Sequence, residues 1–308
     1  MVADLAKPVP GTMVARDWGQ FLLLGLIWGG SFFFARIAVA QIQPLMLVLL
    51  RVGIAAVVLQ FYLALCGISF RPVVSRAPAF LLLAVLNNVV PFSLIFVGQT
   101  ELGAGPASVL YATTPFWTVI LANILTSDEK LSRNKVAGIL LGIAGTAVMI
   151  GPGLLTGLGS PLWAKLALIG AAISYALAVI FAKRFRDVSP VVVATGQLSA
   201  STVIMIPLVL ATHGSAGLLS ASLPVWSAVI ALAVVSTAFA FILYFNLIAS
   251  AGATNASLVT LVVPVSAIFL GALFLGERFE TFELAGIALI GLGLVTIDGR
   301  AFRQWRAR

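Results

Sequence analysis

Two adjacent asparagines, Asn87 and Asn88, lie in LNNVVPF, inside a stretch from Ala77 to Thr100 that holds no charged residue. Carboxamides offer donors and acceptors together, so they suit recognition of a polar solute or a neighbouring backbone rather than proton transfer. Pro91 has no amide hydrogen; in a helix it frees the carbonyl of Asn87 and kinks the chain. Tyr111, Thr114 and Trp117 follow at i, i+3 and i+6, roughly one helical face. Trp28 and Ser31 share a face of an earlier apolar segment, and Tyr175 lies in a later one. Aromatic rings with polar edges suit an apolar solute and can also hold a cation against a ring face. Ordinary packing is the plainer reading of Trp28 and Trp117, and bonding between helices is the plainer reading of the asparagines. Arg51 is the only charge well inside an apolar segment, where a charge costs about 2.5–3.5 kcal/mol on insertion scales. It attracts a solute carboxylate, holds a gate, or reaches toward the nearer membrane surface.

Chemistry beyond binding has little to draw on. Cys66 and His213 are the only cysteine and histidine, and GxSxG, HExxH and paired intramembrane aspartates are absent from the sequence. An enzyme is therefore not expected, nor a metal or other cofactor. Glu101, Glu129, Glu277 and Asp298 all fall near segment ends. Without a carboxylate at mid-depth to alternate between proton and cation, the expectation is a facilitator of neutral or zwitterionic solutes.

These residues must be positioned by membrane helices. Of 308 residues 61% are hydrophobic and 9% charged, against about 25% charged in soluble domains. Ten apolar runs are long enough to span, near 18–37, 44–66, 78–99, 104–126, 136–154, 161–182, 190–212, 225–248, 253–275 and 282–299. They are continuously apolar, as in FLLLGLIWGGSFFF, whereas barrel strands alternate. Fourteen of the 18 Lys and Arg fall at one set of segment ends, three (Arg36, Lys165, Arg278) at the other, and Arg51 lies inside. The positive-inside rule then puts both termini in the cytoplasm. The net charge of +8 reflects that topology, so the lipid bilayer and a small solute are the expected partners and nucleic acid is not. A monomer is compatible with this pattern.

The chain is also written twice. At an offset of 149, Phe92 meets Phe241, Gly103 meets Gly252, Ser108 meets Ser257 and Pro115 meets Pro264. One residue less brings Glu129 to Glu277 and Gly145 to Gly293, and a weaker match at the front sets Trp28 opposite Tyr175. The same offset carries Asn87 and Asn88 onto Ser236 and Thr237, while Arg51 falls opposite Gln197. An odd number of spans per half inverts the second half, so the expected fold is an all-α membrane protein of ten transmembrane helices built as two inverted five-helix repeats. The divisions are a tail at 1–17, repeats at 18–154 and 161–299, and a basic tail at 300–308. Inverted repeats of this kind place a solute site near the bilayer midplane and work by alternating access.

WGGSFFFAR in the first segment, Pro44 followed by Arg51, and the VLYATTPFW stretch with its counterpart NASLVTLVVP carry a family likeness. Glu129, Glu277 and the glycine-rich GILLGIAGTAVMIG and GIALIGLGLVTIDG complete it. From about 18 to 299 the sequence resembles the drug/metabolite transporter superfamily, in its ten-helix branch of two EamA-type domains. That resemblance implies a permease or exporter of small metabolites in a bacterial inner membrane, amino acids among them; the uncharged, aromatic-rich set of candidate residues favours aromatic or other apolar amino acids. Nucleosides, sugar-derived and drug-like solutes remain alternatives, and a channel a more distant one. Substrate contacts are expected at Trp28, Ser31, Asn87, Asn88, Tyr111, Thr114, Trp117, Tyr175, Ser236 and Thr237. The resemblance weights Arg51 toward gating or structure, together with Pro91, Pro115 and Pro264.

Overall fold

The computed structural model describes residues 15–125, 133–156, 160–212, 221–251 and 259–298. The expectations that fall on Glu129, His213, Gly252, Ser257 and most of both tails lie outside the described residues. Among the described residues ten principal helices run in order: α1 (Ala15–Ala38), α2 (Pro44–Leu65), α3 (Ala77–Gly98), α4 (Ala104–Leu125) and α5 (Arg133–Thr156). Then come α6 (Leu162–Ala182), α7 (Pro190–Thr212), α8 (223–251), α9 (Val259–Leu275) and α10 (Thr281–Asp298). A short helix, Arg71–Ser75, joins α2 to α3, and no strand occurs among the described residues.

Seven helices are long and apolar enough to cross a membrane, and shorter apolar stretches, Val136–Val148, Val262–Leu275 and Thr281–Gly293, lie in α5, α9 and α10. A 22-residue helix such as α3 rises about 33 Å, enough for a hydrocarbon layer about 30 Å thick. Pro44, Pro78 and Pro224 stand in the first turns of their helices, where a missing amide hydrogen costs no bond. Gly67 and Gly276, at φ +64° and +65°, follow α2 and α9 in the left-handed conformation that ends helices. Large apolar side chains such as Phe61, Leu140, Leu210 and Phe269 are exposed on the outside, as a lipid-facing surface requires.

Helix neighbours follow a rule. α1 packs on α9 and α8, as α6 packs on α4 and α3; α2 packs on α8, as α7 packs on α3. The pairs α2 with α7, α4 with α9 and α5 with α10 map onto themselves when each helix is exchanged for the one five places away. The closest backbone approach in the α5–α10 pair is set by glycine. A Cβ on Gly293 would stand 2.7 Å from the Gly138 carbonyl oxygen, and one on Gly145 would stand 2.8 Å from the Ile290 nitrogen. Small residues at such crossings let helices gain packing that lipid cannot supply.

Candidate functional site

α3 and α8 both widen where the polar pairs lie. Val85–Val89 and Ala231–Phe239 are π-helical, a local form that recurs at functional sites because it re-aims side chains and loosens backbone bonds. In α3 the Val90 amide donates to the Val85 carbonyl, five residues back. Continued past Pro91, that register leaves the carbonyl of Leu86 without a helical donor. The Ser174 hydroxyl of α6 donates to it at 2.7 Å. The carbonyl met from α6 is thus that of Leu86, one residue before the Asn87 carbonyl that a regular α-helical register frees. In the other half the Ser236 hydroxyl donates to the Ile27 carbonyl of α1 at 3.3 Å, so the corresponding helix pair is tied by the same kind of bond. α8 has no proline here, so proline is not what widens both helices. Ser174→Ala is expected to cost only about 0.6 kcal/mol, the average for a membrane interhelical bond, read as a small shift in unfolding temperature in detergent.

Arg51 ties this region together. It is buried, its Nε donates to Thr237 Oγ1 of α8 at 3.0 Å, and its guanidinium carbon lies 4.0 Å from the Phe92 ring centroid and 5.7 Å from that of Phe96. Thr237 in turn donates to the Leu232 carbonyl. Tyr175 meets Phe92 edge-on with centroids 6.4 Å apart, Tyr111 meets Tyr175 at 5.4 Å, and Phe32 meets Tyr111 at 5.5 Å. Both tyrosines lie near the guanidinium. Six helices therefore converge on one arginine and five rings. A guanidinium stacked on aromatic faces is held flat and dry without an ion pair.

A turn earlier on α3, Asn87 Nδ2 donates to Gln197 Oε1 of α7 at 2.8 Å, and Asn88 Nδ2 donates to Ser201 Oγ at 3.0 Å. Asn88 is fully buried and its Oδ1 has no protein partner. The two asparagines thus bridge helices, and Asn88 keeps one free acceptor.

The structure brings Tyr111, Tyr175 and Thr237 together around Arg51, but not Thr114 and Trp117. α4 breaks into a turn at Ala112 and Thr113, so the expected common face is interrupted. Pro115 cannot donate to the Tyr111 carbonyl; the Thr114 hydroxyl does so at 2.6 Å, and Trp117 Nε1 donates to Thr113 Oγ1 at 3.2 Å. Trp28 packs against Tyr244 of α8 with centroids 5.2 Å apart. Ser31 is buried in α1, and Pro264 lies inside α9. Phe92, Phe96, Ser174, Gln197 and Ser201 were not among the expected contacts; the pairing of Gln197 with Arg51 in the repeat was the signal that pointed to one of them.

The two ends of the bundle differ. At the end holding Arg71, Arg76 and Lys183–Arg186, called here the basic end, Phe80 packs at a tilt on Phe185 with centroids 4.6 Å apart, and Val73, Val188 and Val192 are buried around them. Arg76 forms an ion pair with Asp187, with Nη1 to Oδ1 at 2.9 Å. At the opposite end a vestibule of about 1020 Å³ is lined by Arg36, Gln41, Pro106, Ser222, Glu277 and Arg278 among others. There the Ser222 amide donates to Gln41 Oε1 at 2.8 Å. Gly276 turns the chain so that Glu277 accepts from the Ala104 and Gly105 amides, at 2.6 and 3.0 Å, at the start of α4. Glu277→Ala removes both charged contacts and is expected to lower stability by about 2 kcal/mol or more, measured by thermal unfolding in detergent.

Comparison with known proteins is consistent across the chain. The sequence matches the EamA-like transporter family over residues 18–151 and again over 162–297. It is 29% identical over 285 residues to the uncharacterized inner membrane transporter YedA of Escherichia coli, covering 91% of this chain and 90% of that one. It is 28% identical over 293 residues to a protein of Salmonella typhimurium named "Probable amino-acid metabolite efflux pump", covering 92% and 94% respectively. A solved crystal structure shares the fold, with TM-score 0.65 and 19% identity over 92% of this chain and 97% of that chain.

Proposed function

Because the chain belongs to the EamA-like transporter family, we propose that it is a secondary transporter that exports small neutral or zwitterionic metabolites, foremost aromatic and apolar amino acids, by alternating access. One observation carries this reading: an aromatic interior holding a single arginine lies between a packed end and an end with a vestibule of about 1020 Å³. The basic end is the cytoplasmic one under the positive-inside rule, so the vestibule lies on the outer side. The exchange of helix neighbours between halves supports an inverted repeat as the source of the two shapes. The Salmonella relative's name supports amino acids as the solute.

In this reading Arg76 and Asp187 latch the cytoplasmic end, and Gln41 with Ser222 takes the corresponding place outside. The hydrogen bond from Arg76 holds the Asp187 carboxyl below its ordinary range. A depressed carboxyl keeps its contact above that range and loses it only as pH falls through the lowered value. The latch is therefore expected to survive at about pH 5 and to release below about pH 3.9, the usual aspartate value. Labelling of a cysteine at Val192, in a Cys66→Ala background, checks this; release already at pH 6 would contradict it.

Counterflow in proteoliposomes tests the function itself. Saturable uptake of an aromatic amino acid, accelerated by the same solute preloaded inside, is the expected result; non-saturating flux without such exchange would indicate a pore.

A further inference from the structure

We infer that Arg51 is the docking group for a carboxylate on the transported solute, so that recognition depends on an acid group rather than on apolar character alone. This rests on the transport reading above and deepens it.

The guanidinium is buried, yet its hydrogen bonding to the protein is confined to Nε, which donates to Thr237. Its Nη1 and Nη2 donate to no protein group and are not among the fully enclosed unsatisfied atoms, so each keeps some surface open to a water-sized probe. No carboxylate among the described residues pairs with Arg51; the Arg76–Asp187 ion pair is at the basic end. The neighbours that hold the guanidinium are rings, Phe92 and Phe96, with Tyr111 and Tyr175 close by. Such an environment fixes the plane and direction of the fork while leaving its charge unmatched. A planar fork of this kind matches a carboxylate through two parallel bonds.

The second half supplies an internal control. Gln197, the repeat counterpart of Arg51, ties α7 to α3 through Asn87 at 2.8 Å. A neutral amide is sufficient for that helix crossing, so the charge at position 51 is not required to hold α2 against α8. The phenol groups of Tyr111 and Tyr175 contribute polarity without supplying a charge to neutralise the arginine.

The test uses full-length protein in proteoliposomes, with L-phenylalanine counterflow as the assay and three analogues as competitors: 3-phenylpropionate, which keeps the carboxylate; phenylalaninamide, which lacks it; and phenethylamine, which keeps only the amine. The expected result is competition by 3-phenylpropionate and, from the amide and the amine, competition weaker by about tenfold or more, the scale of losing a charged hydrogen bond. Arg51→Gln is expected to bring the acid-to-amide preference toward one, and Arg51→Lys to retain part of it. Thermal unfolding of each variant in detergent separates this from misfolding, since a purely structural arginine would lower stability and total flux without altering the preference. Equal competition by acid and amide with counterflow intact, or an unchanged preference in Arg51→Gln, would overturn the carboxylate assignment and leave transport standing. Absence of counterflow with every solute offered would overturn the transport reading and the assignment together.

Discussion

Phe80→Ala is expected to unseal the basic end. Phe80 is almost fully buried, packs at a tilt on Phe185, and occupies the space beside Gly196 of α7, where a Cβ would stand 2.6 Å from its ring. Truncating a buried phenylalanine typically costs about 3–5 kcal/mol, and here the loss falls on the conformation in which α3, α6 and α7 are packed together. The conformation with that end open does not depend on this packing, so the equilibrium shifts toward it. A maleimide reacting with cysteine at Val192, in a Cys66→Ala background, is expected to label the Phe80→Ala protein at least about tenfold faster, a modest fraction of what the packing loss allows. Phe80→Leu, which refills most of the volume, should give an intermediate rate. Faster labelling accompanied by loss of the folded monomer peak in gel filtration would instead mark general unfolding.

The second large effect is structural. Gly293→Val places two methyl groups where even a Cβ stands 2.7 Å from the Gly138 carbonyl and 2.9 Å from the Gly142 nitrogen. Those contacts are backbone and cannot rotate aside, so α5 and α10 must move apart. Overpacking of this kind costs about 1–3 kcal/mol, occasionally more. The variant is expected to unfold at distinctly lower temperature in detergent, whereas Gly291→Ala, where a Cβ meets nothing within 4 Å, should behave like the parent. Because α5 and α10 pack mainly on each other, substrate preference in the surviving Gly293→Val protein should be unchanged.

The helices were legible because lipid imposes their length: an apolar run near 20 residues has few other uses. Most observed ends fall within a few residues of those expected, as in α2 at Pro44–Leu65 and α7 at Pro190–Thr212. The place where α3 departs from regularity was legible as well, since Asn87, Asn88 and Pro91 break an apolar pattern. Its nature was not. A π-helical turn adds one residue to a hydrogen-bonded loop and leaves no compositional mark, and the longer one, in α8, occurs without a proline.

The candidate site was legible only in part, for a different reason. Tyr111, Tyr175 and Thr237 each carry a polar atom within an apolar run and were expected on that ground. Phe92 and Phe96 look like any lipid-facing phenylalanine until the fold sets Arg51 over them. Spacing misled at Trp117, because a helical face was assumed to run through Ala112 and Thr113, where Pro115 removes a bond and the chain turns. Arg76 entered the sequence reading only as one of the basic residues that set orientation, and Asp187, 111 positions away, did not enter it. Their pairing depends on which loops meet, and no local pattern records that.

The account rests on two ends opening in turn, and the most direct measurement follows both at once. Single cysteines at Val39, which lines the vestibule, and at Val192, which is packed at the basic end, are each labelled in a Cys66→Ala background with and without a transported amino acid. Alternating access predicts opposite changes in the two labelling rates when the solute is added. Rates that rise together, or that both ignore the solute, would contradict it.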